Sequence, residues 1–477
     1  MYYPHHMHHT RTKIIGTIGP ASHDIKTLRA LHDAGMNVAR INMSHADHKS
    51  ALQVIERIKK INSDLNSVHG PIGVLVDTQG PEIRTGDTNI AMDLKVGDEV
   101  TLTVRDEVDV ETSSIMINYK GLIESVHEGS KISIDNGLIN FKVISKDKDQ
   151  LLCKVLDGGK LGSKRHVNLP GVRVNLPSIT SKDIKDIDFA IKHKADFIAL
   201  SFVREASDVE QLREILKAQN SSIKIIAKIE NQEGLDNIHQ ISQCADMIMV
   251  ARGDLGIETN LADLPNIQRR IMYASAKWGA RSIVATHLLE SMIDNPSPTR
   301  AEVTDVANAI YEGADAIMLS GETSVGKYPI QCVQMLKEIS ERTEEYKTLG
   351  YEQHLFAETD WQNIAIAAKN LAEGIQADGI IAITRSGRTA NVIANTKPTN
   401  LPVFCFTNNK ATYQQLSIMG SMHGFYIKNL ANQSLALKKI QSTIKKLVKS
   451  EKREYKFILI SGIYSEQYTD SIQVIKF

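Results

Sequence analysis

Apolar runs with the look of buried strands recur along this chain at intervals of roughly 25 to 35 residues, with helical stretches between them. TKIIGTIG, NVARIN and IGVLVD come first, then ADFIALSF, SIKIIAKIE, DMIMVARGD, RSIVATH and GADAIMLSGE. Strands that are apolar on both faces belong in parallel sheets covered by helices, because a sheet with one wet face would alternate instead. Eight strands, each followed by a helix, are the count for a (β/α)8 barrel, whose reacting groups stand at the carboxyl ends of the strands. A doubly wound open sheet has the same grammar in any short window and is the alternative.

The alternation is interrupted once and later resumes in a different register. Between residues 87 and 172, short segments such as DEVTLTV, KISID and NFKVIS, separated by glycine and charged turns, read as an inserted all-β domain. Beyond residue 350, DGIIAITRSGRT, LPVFCFT and YKFILISG mark a further α/β unit. The expected division is a tail at 1–10, a barrel from 11–86 and 173–347, the insertion at 87–172 and a carboxyl-terminal α/β domain at 348–477.

Composition narrows the partners. Lysine plus arginine and aspartate plus glutamate both number 56, so no global field favours nucleic acid or a membrane surface, and local sites must carry the function. Cys153, Cys244, Cys332 and Cys405 lie far apart and fit neither a paired metal spacing nor a disulfide framework, which suits a reducing compartment. There is no run of about eighteen apolar residues, and MYYPHHMHHT has no apolar leader, so a cytoplasmic location is expected. His5, His6, His8 and His9 are read as part of a tail without a catalytic role.

Polar residues cluster where the strands end. NVARINMSH supplies Arg40, Asn42, Ser44 and His45, and LVDTQGPEIRTG supplies Asp77, Thr78, Glu82 and Arg84. ALSFVR adds Ser201, IIAKIEN adds Lys228 and Glu230, VARGDLG adds Arg252, Gly253 and Asp254, and IVATH adds Thr286. Side chains two apart on a strand share a face, so Lys228 and Glu230 look into one space. Neighbouring strands lie about 5 Å apart, close enough for Glu230 and Asp254 to hold one small divalent cation. Two carboxylates with open positions suit magnesium, which takes its other ligands from water and substrate oxygens. With Lys228, Arg40 and Arg84 beside it, such an ion implies a strongly anionic substrate, most simply a phosphate with a carboxylate. Taken singly, each residue has a plainer reading: Arg40 and Arg84 as rim salt bridges, Asp254 as a helix cap, Thr286 as a local hydrogen-bonding group. Their convergence on one face of one fold favours the catalytic reading.

ARINMSH, DTQGPEIRTG, IIAKIENQEGL, VARGDLG, PTRAEVTDVANAIYEGADAIMLSGET and ITRSGRTA resemble, in this order, blocks of the pyruvate kinase family, with IIAKIENQEGL similar to the signature around its catalytic lysine. The resemblance runs from Arg11 to near the carboxyl terminus. It implies a β-barrel lid inserted after the third barrel strand, a carboxyl-terminal regulatory domain, usually a homotetramer, and phosphoryl transfer from phosphoenolpyruvate to ADP. It also implies roles. Glu230 and Asp254 would ligate magnesium (or manganese), and Lys228 would neutralise the phosphoryl group in flight. Arg40 and Arg84 would clamp that group, while Thr286 and the amides near Gly253 and Asp254 would seat the carboxylate. Thr286 would belong to the relay protonating the enol, and Ser201 would join the substrate-binding set. A second magnesium would arrive with the nucleotide, near Asn42, His45 and Arg84. Asn42, Ser44, Asp77 and Thr78 match potassium ligands, and members that work without potassium tend to carry lysine at the position of Glu82. Thr384, Arg385, Ser386, Gly387, Arg388 and Thr389 match the effector phosphate site, where hydroxyls, amides and arginines follow an apolar strand, for a sugar-phosphate or nucleotide activator.

The chain departs from the family pattern at Gln79, where lysine is commoner, at Asn175, where aspartate is common, and at His287 and Leu288 in ATHLLESM. Its end, ISGIYSEQYTDSIQVIKF, lacks the glycine- and threonine-rich loop of many members. A magnesium-dependent barrel aldolase or lyase acting on 2-keto acids shares the Glu/Asp pair. It would not need the lid, the monovalent-cation residues or the third domain.

Overall fold

The computed structural model describes residues 10–64, 70–87, 91–105, 114–398, 401–428, 430, 433–447, 454–462 and 470–477. The four tail histidines, and the atypical loop at 464–470 apart from Asp470, lie outside them.

The eight apolar runs form Lys13–Thr17, Met36–Asn42, Gly73–Asp77, Phe197–Leu200, Lys224–Ile229, Met247–Ala251, Arg281–Ala285 and Ala316–Leu319. All pair in parallel, and the last closes on the first, which decides for the barrel over the open sheet. Alternation sorts their side chains into two cores. Ile14, Ala39, Val74 and Ile198 pack outward against the helices, while Ile15, Val38, Leu75, Phe197 and Met249 fill the interior. The helices between are punctuated by local chemistry. Asp24 caps Ile25–Ala34 by accepting from Lys26 and Thr27 N–H, and Gly35, at φ 130°, ends that helix where a Cβ would be strained. Thr180 with Asp183, and Thr299 with Glu302, close capping boxes.

The insertion builds its own core around Leu102, Ile132, Phe141 and Leu151. Its strands form a six-stranded sheet and a two-stranded ribbon. The sheet's edge strands, Ser114–Met116 and Val167–Asn168, do not pair directly, but the segment 83–86 bonds to the residues beside both, through the Arg84–His166 and Thr85–Ile117 bridges, and so closes the sheet into the barrel expected of the lid. Its two connections to the large barrel touch at the bridge between Arg84 and His166.

The carboxyl-terminal unit is a five-stranded sheet in the order Met422–Tyr426, Val403–Thr407, Gly379–Ile383, Lys456–Ser461, Ser471–Lys476, with only the last strand antiparallel. Two of these strands were not expected. MHGFY carries a glycine and a histidine, and the edge strand alternates, half exposed, so neither reads as a buried run. The unit also closes the barrel floor. Ile418 packs into the interior core below Leu75 and Phe197, and Lys13 Nζ donates to Met422 O at 3.0 Å. Among the described residues no helix is long and apolar enough to cross a membrane.

Candidate active site

At the carboxyl ends of the strands, where the lid folds back over the barrel, lies a cavity of about 370 Å³. Nine of the residues picked out at the strand ends line it: Arg40, Asn42, Ser44, His45, Glu82, Arg84, Lys228, Glu230 and Asp254. Asp77, Thr78, Ser201, Gly253 and Thr286 are not among its lining residues, but Asp77 and Ser201 contact Lys228, and Thr78 holds Ser201. Residues 384–389, expected to bind an effector, lie in the carboxyl-terminal α/β unit.

Lys228 is the hub. Its Nζ lies 3.0 Å from Glu230 Oε1 and 3.2 Å from Asp77 Oδ1, and donates to Ser201 Oγ at 2.8 Å. Ser201 in turn donates to Thr78 O at 2.7 Å, so it supports Lys228 from below. Arg40 donates to Asp77 Oδ2 from Nε at 2.7 Å and to Thr17 Oγ1 from Nη1 at 2.9 Å. Arg84 meets Glu82 through Nε at 2.7 Å and Nη2 at 2.6 Å, and Gln79 also donates to Glu82, at 2.9 Å. Each of the three expected cations has a carboxylate partner, and for the buried Lys228 and Arg40 leaving the charge unpaired would cost several kcal/mol, roughly 3–5.

The carboxylates divide by their neighbours. Burial alone would push Asp77 up, but Lys228 and Arg40 outweigh it and hold its carboxyl below the usual range. Burial would likewise lower Lys228, yet Asp77 and Glu230 keep it above the ordinary lysine value. Glu230 is pushed up to about 7 by burial, against Lys228 and with Asp254 adding to the rise. Asp254 is raised too, by burial and, against Lys228, by Glu258 and Glu82. Two adjacent carboxylates that resist joint ionisation are a donor set for a divalent cation, whose charge removes the conflict. Among the described residues no three His, Cys, Asp or Glu side chains gather around one point, so any such ion takes further ligands from elsewhere. For the monovalent set, Asn42 and Asp77 are register partners on adjacent strands, and Asn42 Oδ1 accepts from Ser44 N–H at 3.1 Å.

Thr286 sits in a left-handed conformation, φ 68°, followed by His287 at φ 53°. For a β-branched residue this is strain on the order of 1–3 kcal/mol, of the kind held at functional sites. Its Oγ accepts from Gly253 N–H at 2.8 Å and donates to Ala285 O at 2.6 Å. The Gly253 amide expected to face a carboxylate is thus engaged by Thr286. Of the departures, Gln79 lines the cavity, Leu288 is buried, His287 faces Glu290 at 3.6 Å on the surface, and Asn175 N–H donates to the Tyr119 hydroxyl at 3.1 Å.

Sequence reasoning passed over the lid's own contribution. Arg165, Lys164 and His166 line the cavity from above, and His166 Nδ1 comes within 3.9 Å of Asp254 Oδ1 while its ring tilts against Phe202. The run SKRH was the one available signal, a basic stretch just before the lid rejoins the barrel.

Comparison with known proteins bears on the family and the fold. Residues 9–333 match the family model "Pyruvate kinase, barrel domain", and residues 362–475 match "Pyruvate kinase, alpha/beta domain". The chain is 43% identical over 416 residues to a pyruvate kinase of Staphylococcus epidermidis, covering 86% of this chain and 70% of that one. It is equally similar, at 43% over 419 residues, to a pyruvate kinase of Bacillus licheniformis, with the same coverage. A crystal structure of a pyruvate kinase from Cryptosporidium parvum superposes with a TM-score of 0.94 at 32% identity, over 100% of this chain and 98% of that one. With the two family models spanning most of the chain, relatives at 43% identity and a solved structure superposing over its full length, the chain belongs to the pyruvate kinase family.

Proposed function

We propose that the cavity under the lid performs the family's reaction, transfer of the phosphoryl group of phosphoenolpyruvate to ADP, through the residues gathered there. A terminal oxygen of ADP forms a bond to phosphorus as the bond to the enol oxygen breaks, and the enolate left behind takes one proton at its terminal carbon. Lys228, fixed from three sides by Asp77, Glu230 and Ser201, faces the phosphoryl group and offsets the charge that develops on it and on the enolate. Its preorganised contacts are the observation that carries this reading. Arg40 and Arg84 turn from their carboxylate partners to the transferring group and the nucleotide, with Asn42 and His45 on the same wall. Thr286, its hydroxyl backed by the Gly253 amide, holds the substrate carboxylate with the neighbouring amide of Asp254, and the Thr286 hydroxyl belongs to the relay that delivers the proton.

Glu230 and Asp254 would hold magnesium or manganese, which would supply Lewis acidity to the substrate. Asn42, Ser44, Asp77 and Thr78 hold potassium. The carboxyl-terminal loop 384–389 takes the phosphate of a sugar-phosphate or nucleotide activator. A homotetramer in the cytoplasm completes the proposal.

A coupled assay should detect pyruvate from phosphoenolpyruvate only when ADP is present, which separates this reading from a lyase. Lys228→Met keeps much of the stem's bulk and removes the charge, and turnover should fall by about 10² to 10³ or more. Near-normal turnover in that variant would overturn the assignment.

A further inference from the structure

Arg252 opens the short helix Arg252–Glu258 beside Asp254, yet its side chain is buried and turned away from the cavity. Its Nε donates to Ala285 O at 3.3 Å and Thr286 O at 3.1 Å, and its Nη2 donates to Thr286 O at 2.5 Å. On the far side, Nη1 reaches both carboxylate oxygens of Asp305 at 2.8 Å, from the helix Arg300–Tyr311. The two carbonyls it collects are those of the peptides at which the chain enters and leaves the left-handed Thr286. A planar fork can gather two carbonyls and a carboxylate at once, which the point charge of a lysine cannot do.

We propose that Arg252, pinned by Asp305, is a positioning residue that holds Thr286 in its strained conformation and so keeps the Thr286 hydroxyl against the Gly253 amide. The inference rests on the reading of Thr286 as part of the proton relay. The guanidinium never touches substrate. It acts through the backbone of residue 286, and Asp305 acts through the guanidinium.

The test compares two readouts in the full-length protein: turnover with ADP, and exchange of solvent deuterium into the methyl group of pyruvate, followed by proton NMR with magnesium present. Arg252→Lys and Asp305→Asn should each lose about tenfold to a hundredfold in both readouts, the scale of a misplacement near 1 Å, with KM for ADP unchanged. Cooperative thermal unfolding should be retained. Millimolar methylguanidinium should restore part of the exchange in Arg252→Ala. In a Thr286→Ala background, Asp305→Asn should cost nothing further, because the two act as one unit. Equal costs in both backgrounds would overturn the brace alone, as would wild-type exchange in Arg252→Ala. Wild-type exchange in Thr286→Ala would overturn the relay reading and the brace with it. If Arg252→Ala does not fold, Asp305→Asn carries the test, since that carboxylate is partly exposed.

Discussion

Asp77 Oδ1 stands 3.2 Å from Lys228 Nζ, while Oδ2 of the same carboxylate takes Arg40 at 2.6 Å. A side chain assigned to the monovalent-cation site therefore also fixes the two cations assigned to the phosphoryl group. Occupancy of one site should be felt at the other, because a full ligand shell around Asp77 sets how much of its charge remains for Lys228 and Arg40.

Asp77→Asn keeps the shape of the side chain and removes that charge. Lys228 retains Glu230, but Arg40 loses its ion-pair partner. Turnover should fall by about 10² to 10³, with a stability loss of up to about 3–5 kcal/mol for breaking a buried pair. The potassium activation curve should flatten. Titrating potassium into the variant and the wild type checks the coupling, and an unchanged curve in Asp77→Asn would separate the two sites again.

Replacing potassium by tetramethylammonium at equal ionic strength should leave low activity. Asp77 and Glu82 then stand near incoming phosphates with less positive charge to offset them. Glu82→Lys should recover part of the potassium-free activity. Because Glu82 holds Arg84 at 2.6 Å, the same change frees that arginine, and KM for ADP should rise in parallel. Full wild-type activity without any small monovalent cation would exclude the oxygen cage.

The loop 384–389, proposed to bind an activator, has the local geometry of an anion nest. Thr384 Oγ1 accepts from Gly387 N–H at 3.0 Å, Gly387 turns at φ 88°, and the helix Arg388–Asn395 follows. A panel of sugar phosphates and AMP should shift phosphoenolpyruvate saturation in the wild type, and Ser386→Ala should abolish that shift with basal turnover unchanged. Activation surviving in Ser386→Ala would place the activator elsewhere.

How much of this was readable beforehand follows from physics. The barrel strands were legible because burial on both faces leaves an unbroken apolar run, and their ends were legible because charge interrupts such a run only where something uses it. The pairing of Asp77 with Lys228 was not, since it depends on the register of separate strands around a closed barrel. Arg165 and His166 were missed because the rule of strand ends says nothing about a lid that returns from outside the barrel. Arg252 was noticed only as a neighbour of Asp254. Its service to Thr286 depends on a left-handed backbone that no residue preference announces, threonine being among the residues least suited to it.

At the opposite end of the barrel, Asp196 precedes the fourth strand with 3% of its surface exposed, and its Oδ2 accepts from Val74 N–H at 2.8 Å. Burial pushes this carboxyl up to about 7, against the Val74 hydrogen bond and the charge of Lys59. A carboxyl whose folded value is raised contributes stability that is fully present below its unfolded value, and that contribution is lost as pH rises through the folded value. Here the loss runs from the ordinary aspartate range up to about pH 7, then levels off. Asp196→Asn keeps an oxygen for Val74 and has no proton to lose. Its stability relative to the wild type should therefore improve by about 1.4 kcal/mol per pH unit between roughly pH 5 and 7 and stay constant above. Urea denaturation of both proteins across that range measures the difference directly. Curves that run parallel from pH 5 to 8 would mean that Asp196 is ionised in the folded protein throughout, with its charge met by groups other than Val74.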